Sequence, residues 1–287
     1  MNIPKQNFIK QFSSSISWKD DGIYYADSSE NVSYPDNGND NCFEIEDTSF
    51  WFRHRNHCIV EMVRNYPPTG NGPIFDVGGG NGFVAQGLIN AGWETVVVEP
   101  VVSGARNAKK RGLPNVICAT TKTAKFKSGT LPAIGVFDVV EHIEDDIEFL
   151  NHLWELLIPG GMLYITVPAY KALWSLDDER GGHFRRYTLS NLTKKIRNSS
   201  FYVSYSTYIF SYLPLFIFLI RRIPYKLKFS KSPTIKSIRN DHYSPDGLGS
   251  KILNLLHKWE IKKINKHQKI NFGGSCMLAV QKARLDV

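Results

Sequence analysis

Ile74-Phe75-Asp76-Val77-Gly78-Gly79-Gly80-Asn81-Gly82-Phe83 decides the fold of this 287-residue chain. It reads as a short buried strand with an acidic residue at its tip, a glycine-dense turn and the start of a helix. Glycine reaches backbone angles that side chains forbid and lets a ligand approach the main chain closely. In a βαβ unit such a turn lies at the carboxyl edge of a parallel sheet, where nucleotide-like ligands bind.

Outward from that turn the pattern alternates. A helix over residues 83–91 ends at Gly92, a strand follows at 95–99, a helix at 103–111 and a strand at 115–119. After a loop at 129–132 come a strand at 135–140 and a helix at 145–157. Pro159-Gly160-Gly161 stops that helix, with Gly as its C-cap, and a strand follows at 162–167. Short apolar strands separated by helices imply a parallel sheet covered on both faces. Residues 168–187 read as a long loop or lid, followed by a helix at 190–199 and a strand at 202–207. Next come an apolar run at 208–220, a basic stretch at 221–239, an amphipathic helix at 248–267 and a last strand at 275–281. Leu248, Ile252, Leu255, Leu256, Trp259 and Ile264 fall on one side of that helix. On the N-terminal side a helix opens at Phe50, carries Ile59, Met62 and Val63 as its stripe, and stops at Pro67-Pro68.

The expected fold class is α/β: a Rossmann-like, seven-stranded, mostly parallel sheet with helices on both faces and a C-terminal helical, apolar insertion. The domain plan is an irregular acidic arm over 1–47, a core over 48–207, an insertion or cap over 208–270, and the final strand and tail of the core over 271–287. The arm is expected to pack through Trp18, Tyr24, Tyr25, Tyr34 and Phe43.

The hydrophobic fraction of 42% permits a sizeable core. Cys42, Cys58, Cys118 and Cys276 lie far apart, with no C-x-x-C pair or metal spacing. They read as reduced thiols in a cytoplasmic protein, and no metal is expected. The net charge of +8 is unevenly placed. Residues 20–47 hold nine acidic and no basic side chains, whereas residues 185–269 hold 18 Lys and Arg against three acidic ones. A basic C-terminal third suits an anionic partner or is simply a solvated face.

Two ligand classes compete for the glycine turn. Gly80-x-Gly82-x-x-Ala85 can be fitted to the dinucleotide pattern G-x-G-x-x-G/A, which would make the chain an NAD(P)-dependent reductase. Asp76 argues against it, because a carboxylate ahead of the glycines repels a pyrophosphate and suits a cationic amino group. S-adenosylmethionine (SAM) offers an ammonium, a sulfonium and no phosphate. Glu99, at the end of the second strand, can accept hydrogen bonds from both ribose hydroxyls of either cofactor.

Asp76-Val77-Gly78-Gly79-Gly80-Asn81-Gly82 resembles motif I of class I SAM-dependent methyltransferases, D/E-x-G-x-G-x-G. Phe137-Asp138-Val139-Val140-Glu141-His142 resembles the F-D-V-x-E-H of small-molecule methyltransferases of the ubiquinone-biosynthesis type. Ile158-Pro159-Gly160-Gly161 resembles the L-x-P-G-G that precedes the fifth strand there. Phe50-Trp51-Phe52-Arg53-His54-Arg55-Asn56 and Gly182-His183-Phe184-Arg185-Arg186-Tyr187 are similar to a prokaryotic subfamily linked to glycan or lipid-linked sugar pathways. The resemblance runs over roughly residues 48–283. It implies that Asp76, Gly78, Gly80 and Gly82 hold the methionine part of SAM, that Glu99 holds the ribose, and that Asp138 and Glu141 contact the cofactor on the methyl side. Cys118-Ala119-Thr120-Thr121 lacks the Asp that many relatives place on the adenine amino group, so Thr120 would serve there, or Thr121 or a backbone group.

Transfer from a sulfonium is an in-line displacement, so the protein mainly positions, desolvates and removes a proton. His142 and His183 are the candidate bases, since histidine titrates near neutral pH; each could equally be a structural hydrogen-bonding residue. Trp51, Arg53, Arg55, Tyr170, Trp174, Arg185, Arg186 and Tyr187 are candidate acceptor-binding residues; Arg185 and Arg186 suit carboxylate or phosphate through forked donors, or one of them anchors the lid to the N-terminal helix. The expected acceptor is small or lipid-linked. No nucleic acid is expected: the [D/N]-P-P-[Y/F] of many methyltransferases acting on nucleic-acid bases is absent, as is any base-reading element. The 13-residue run 208–220 is shorter than the roughly 20 residues a membrane span takes. With the basic residues after it, the stretch 208–239 suits peripheral contact with the inner membrane surface or, alternatively, a buried cap or dimer interface. A non-catalytic, membrane-associated SAM-binding module is the remaining alternative.

Overall fold

The computed structural model describes residues 5–13, 15–28, 30, 38–219, 223–226 and 248–283. The basic stretch 221–239, apart from residues 223–226, lies outside the described residues. The chain runs α1 (Lys5–Lys10), β1 (Ile16–Trp18), β2 (Tyr24–Ala26), α2 (Gly38–Phe43), α3 (Phe50–Asn65), β3 (Ile74–Val77), α4 (Phe83–Asn90), β4 (Thr95–Val98), α5 (Val102–Lys110), β5 (Val116–Cys118) and β6 (Leu131–Phe137). It continues through α6 (Asp146–Leu156), β7 (Leu157–Pro168), α7 (Leu176–Gly181), α8 (Leu189–Asn198), β8 (Phe201–Ile209), α9 (Leu213–Ile217), α10 (Ile223–Lys226), α11 (Leu248–Asn265) and β9 (Ser275–Lys282).

The strands form one sheet in the order β1-β2-β5-β4-β3-β6-β7-β9-β8. From β5 to β7 every pairing is parallel, and β9 runs antiparallel between β7 and β8. Alternate strand residues face opposite layers. Leu163, Ile165 and Val167 pack with Leu150 and Leu153 of α6 and Leu192 and Ile196 of α8. Met162 and Tyr164 pack on the other face with Ile59, Met62 and Val63 of α3 and Ile264 of α11. The α/β class with helices on both faces is therefore as expected.

Local signals explain the helix starts. Ser49 caps α3 by accepting from the amides of Trp51 and Phe52, Asp145 caps α6 through Glu148, and Thr188 caps α8 through Asn191.

Four features differ from the sequence reading. The N-terminal arm carries α1, β1, β2 and α2, and the sheet has nine strands instead of seven. β2 pairs parallel to β5 through Tyr24 and Tyr25, and β1 pairs antiparallel to β2. Three-residue strands added to a sheet edge draw their order from the neighbour's backbone and leave no periodic trace of their own. Next, β6 begins at Leu131, ahead of residue 135, because Pro132 sits near the strand start at a register shift, where a missing amide is tolerated. Pro159-Gly160-Gly161 lies in β7, and the cap of α6 is Leu157 in an extended conformation. Finally, α11 buries only part of its apolar side: Ile252, Leu255 and Trp259 are exposed, while Ile264 is fully buried together with Glu260.

Replacing Leu163 by Ala should lower the unfolding free energy by about 2–5 kcal/mol in urea titration, the usual cost of a cavity at a fully buried leucine. Tyr202→Ala, at a side chain 67% exposed in β8, should change it by no more than about 0.5 kcal/mol.

Candidate active site

The carboxyl ends of β3, β4, β5, β6 and β7 open into a cavity of about 1250 Å³. The turn from β3 to α4 forms its floor. Gly78 has φ +69° and Gly82 has φ +75°. A Cβ on Gly82 would lie 2.1 Å from Leu113 Cδ1, and one on Gly78 would lie 2.6 Å from Val139 Cγ2. Both glycines are thus required by conformation and by close approach.

Glu99 locks this turn. Its carboxylate accepts from the amides of Gly80 and Val101, each at 2.8 Å. Burial pushes its pKa up to about 7, against these hydrogen bonds. A carboxylate has about four lone-pair sites, so it keeps capacity for a ligand hydroxyl beside these amides.

Asp76 is fully buried and lies behind the turn: a Cβ on Gly79 would meet its Oδ2 at 2.9 Å. It is not among the residues of the cavity wall. Its Oδ2 has no hydrogen-bond partner. Burial pushes its pKa up to about 7, with Arg55 opposing and Glu99 reinforcing the shift. A buried acceptor left unpaired is costly, and a cationic ligand on the glycine turn would compensate it. The turn, the spare lone pairs of Glu99 and the orphan oxygen of Asp76 fit an aminoacyl nucleoside.

Towards β6 the wall turns acidic. Asp138 has φ +57° and is paired with Arg55 of α3 and hydrogen-bonded by Thr166 at 3.1 Å. Arg55 stacks over Trp51 at 4.8 Å. Glu141 is buried with Oε2 unpartnered, and burial together with Asp138 raises its pKa well above the usual range. His142 and His183 meet edge to face, with centroids 4.7 Å apart. Asp178 Oδ1 accepts from His183 Nδ1 at 2.9 Å and from Arg186 Nε at 2.6 Å. Burial works to raise the pKa of Asp178, but these hydrogen bonds overcome it and hold the group at about 2. Ligand atoms of Glu141, His142 and His183 lie within 4.8 Å of one another, a grouping that could hold a cation.

Among the sequence-derived residues, Gly78, Gly80, Glu99, Thr120, Asp138, Glu141, His142, His183, Trp51, Arg55 and Arg186 line the cavity. Gly82 starts α4 behind it. Arg53 lies away from it, at a shallow surface hollow with His57 and Arg64, because residues two apart on a helix point to nearly opposite sides. Arg185 and Tyr187 pin the lid to α6 through Asp146, at 3.0 Å and 2.8 Å. Tyr170 stacks on Tyr208, and neither Tyr170 nor Trp174 belongs to the wall.

The structure adds wall residues that the sequence reading passed over. Glu30 accepts from Thr120 Oγ1 at 2.6 Å beside β5. Asn39 and Glu46 close the cavity from the acidic arm, latched by Asn81 onto the Asn39 carbonyl at 2.7 Å and by Arg111 onto Glu46 at 2.8 Å. The acidic run in the arm was their one sequence signal. Asp178 was readable from the capping box it forms with Ser175.

The chain matches the family model described as a methyltransferase domain over residues 53–204. It is similar to the mitochondrial ubiquinone biosynthesis O-methyltransferases of Rattus norvegicus, 26% identical over 108 residues, and Homo sapiens, 28% identical over 102 residues. These matches take in 34% and 32% of this chain, and about a third of the length of each relative, 31% and 28%. Among solved structures, a Haemonchus contortus phosphoethanolamine N-methyltransferase 2 in complex with phosphomonomethylethanolamine and S-adenosylhomocysteine aligns at TM-score 0.56 and 15% identity. It covers 88% of this chain and 58% of that one. A chain from the complex of the Haloferax volcanii Trm112 methyltransferase activator with the putative methyltransferase aligns at TM-score 0.54 and 12% identity, over 88% and 95% of the two chains. At these identities the likeness is one of fold.

A cation bound over the turn favours ionised Asp76 and so lowers its pKa from about 7. The ligand-bound state then carries fewer protons than the free protein, and affinity rises with pH. Calorimetry should find SAM binding weakening as pH falls from 8 to 6, by up to about tenfold per unit, with proton release on binding. Asp76→Asn should bind more weakly at pH 8 and lose the part of this dependence that Asp76 carries, leaving that of Glu99, which burial also raises to about 7.

Proposed function

Because the chain belongs to the methyltransferase-domain family, whose methyl donor is SAM, we propose that it methylates a hydroxyl oxygen of a small or lipid-linked acceptor. The donor supplies a methyl group already activated on a sulfonium. The residues of this chain bind, orient and deprotonate. The amides and backbone of the glycine turn, with Asp76 behind them, receive the amino-acid end, and Glu99 receives the ribose hydroxyls. Thr120 and Glu30 face the base. Arg55, held between Asp138 and the indole of Trp51, is positioned to read a carboxylate.

These residues would hold the donor so that its methyl group, activated on sulfur, is open to in-line attack by the acceptor oxygen. Its proton passes to His142 or His183, which line the same part of the wall as Glu141 and Asp138. The ring of His183 is already oriented by Asp178, so an imidazolium formed there would be stabilised by a carboxylate. Closure by the arm, the lid and α3 excludes water from the transfer.

The observation that carries this reading is the continuity of the cavity. It runs from Glu99 and Thr120, past Glu141 and His142, to an apolar end between α9 and α11 lined by Tyr212, Leu213, Ile217, Ile252, Leu253 and Leu256. One end suits a nucleoside and the other suits a hydrocarbon. Next to the apolar end, Leu215, Phe218, Leu219, Ile223, Leu255 and Trp259 are exposed, and Lys251 and Lys258 stand on the same helix. No helix of the described residues is long and apolar enough to cross a membrane. These features support peripheral contact of this face with an anionic bilayer at the cytoplasmic surface, from which a lipid-linked acceptor would enter.

Incubation with radiolabelled SAM and lipid and sugar extracts should place alkali-stable label in the lipid-soluble fraction. Asp76→Ala should reduce its transfer by about tenfold or more, the usual cost of a lost charged hydrogen bond. Label confined to water-soluble products would contradict the lipid-linked acceptor, and no label in any extract would contradict the enzymatic reading.

A further inference from the structure

Away from the cofactor cavity, α3, α11 and the turn after β8 bring three ligand-type side chains to one buried point. His54 and Cys58 are four residues apart on α3 and so share a face, the i, i+4 spacing by which one helix can present two metal ligands. Glu260 reaches the same point from α11. Nε2 of His54 lies 2.8 Å from Glu260 Oε2 and 3.5 Å from Cys58 Sγ, and the three ligand atoms lie within 4.8 Å of one another. His54 is 4% exposed, and Cys58 and Glu260 are 0% exposed.

Hydrogen bonding at this point is oversubscribed. Glu260 Oε1 accepts from the Ser211 amide at 2.6 Å and the Ser211 hydroxyl at 2.7 Å, and Oε2 accepts from the Phe210 amide at 2.9 Å. These donors orient the Glu260 carboxylate at a fully buried position. Among the described residues its ion-pair partner is His54. The ring of His257 stacks on His54 at 3.7 Å, and its Nε2 is engaged by the Tyr212 hydroxyl at 2.7 Å. Nε2 of His54 is therefore claimed twice. A proton there serves the Glu260 carboxylate and leaves no lone pair for the Cys58 thiol. Without that proton, Glu260 Oε2 loses the ring N–H and keeps only the Phe210 amide.

We infer that His54 Nε2, Cys58 Sγ and Glu260 Oε2 form a zinc site that clamps α11 onto α3. A nitrogen, sulfur and oxygen donor set at one point is the borderline-soft combination that zinc takes. A thiolate and a carboxylate together cancel the two charges of the ion, which leaves the buried point neutral. Binding displaces the thiol proton to solvent. The His54 ring keeps a proton only on Nδ1, and an imidazolium gives up its second proton. Zinc–ligand distances near 2.0–2.3 Å require the His54–Glu260 contact to open by less than about 1 Å. The amides of Phe210 and Ser211 already orient the carboxylate, the outer support metal ligands ordinarily have. The clamp fixes the helix that forms the apolar end of the cavity.

The test uses the full chain, stripped with a chelator and titrated with Co²⁺, then with Zn²⁺. One equivalent of Co²⁺ should bind with a thiolate-to-cobalt charge-transfer band, Zn²⁺ should displace it, and zinc should raise the thermal unfolding midpoint. Cys58→Ser should abolish the band, and His142→Ala should retain it, which separates this point from the Glu141, His142 and His183 grouping. Failure of the wild-type chain to bind Co²⁺ with such a band would overturn the inference. So would a band that survives in a folded Cys58→Ala variant. None of these readouts depends on methyl transfer.

Discussion

Two hydrogen bonds to one carboxylate hold the site together. Glu99, at the end of β4, accepts from Gly80 in the neighbouring turn and from Val101 at the head of its own helix. The contact ties adjacent strands at the sheet edge and fixes a turn whose glycines occupy left-handed backbone angles. Such a turn is strained for other residues, and the surrounding packing must determine it. Leu113 fills the space beside Gly82, and Val139 fills the space beside Gly78. Once the turn is fixed, the cavity above it is largely set by sheet topology, because strand order reverses at β3 and β6 and leaves a crevice there.

Electrostatics then divides the crevice. Asp76, Glu99 and Glu141 are all raised in pKa by burial, and Arg55 stands among the acidic groups of the wall. A cationic donor resolves this excess of buried acid in a way a pyrophosphate cannot. The opposite end of the cavity has neither charge nor hydrogen-bonding demand and is closed by α9 and α11. The site is thus polar at the end that suits a nucleoside and apolar at the end proposed for the acceptor.

Much of this is legible in the sequence. The four-residue strand that carries Asp76, the spacing to Glu99 and the helix stopped ahead of Pro159 all reflect local rules: alternation, capping and glycine conformation. What the sequence concealed depends on distant partners. β1 and β2 exist because β5 offers an unpaired edge. Glu260 is buried on a helix whose Ile252, Leu255 and Trp259 are exposed because Ser211, Phe210 and His54 supply donors from 49, 50 and 206 residues away. The arginines of the lid divide their work in a way that sequence cannot apportion: Arg186 turns to Asp178 inside the cavity, and Arg185 turns to Asp146 outside it. The acidic arm, which read as irregular, supplies Glu30, Asn39 and Glu46 to the cavity wall.

The central claim is that the buried carboxylates at this turn select a cationic aminoacyl nucleoside over a diphosphate. Competitive calorimetric titration of the unmodified chain with S-adenosylhomocysteine and with NADH tests it most directly. The account predicts one S-adenosylhomocysteine bound per chain and no measurable heat with NADH. Binding of NADH, with none of S-adenosylhomocysteine, would contradict it.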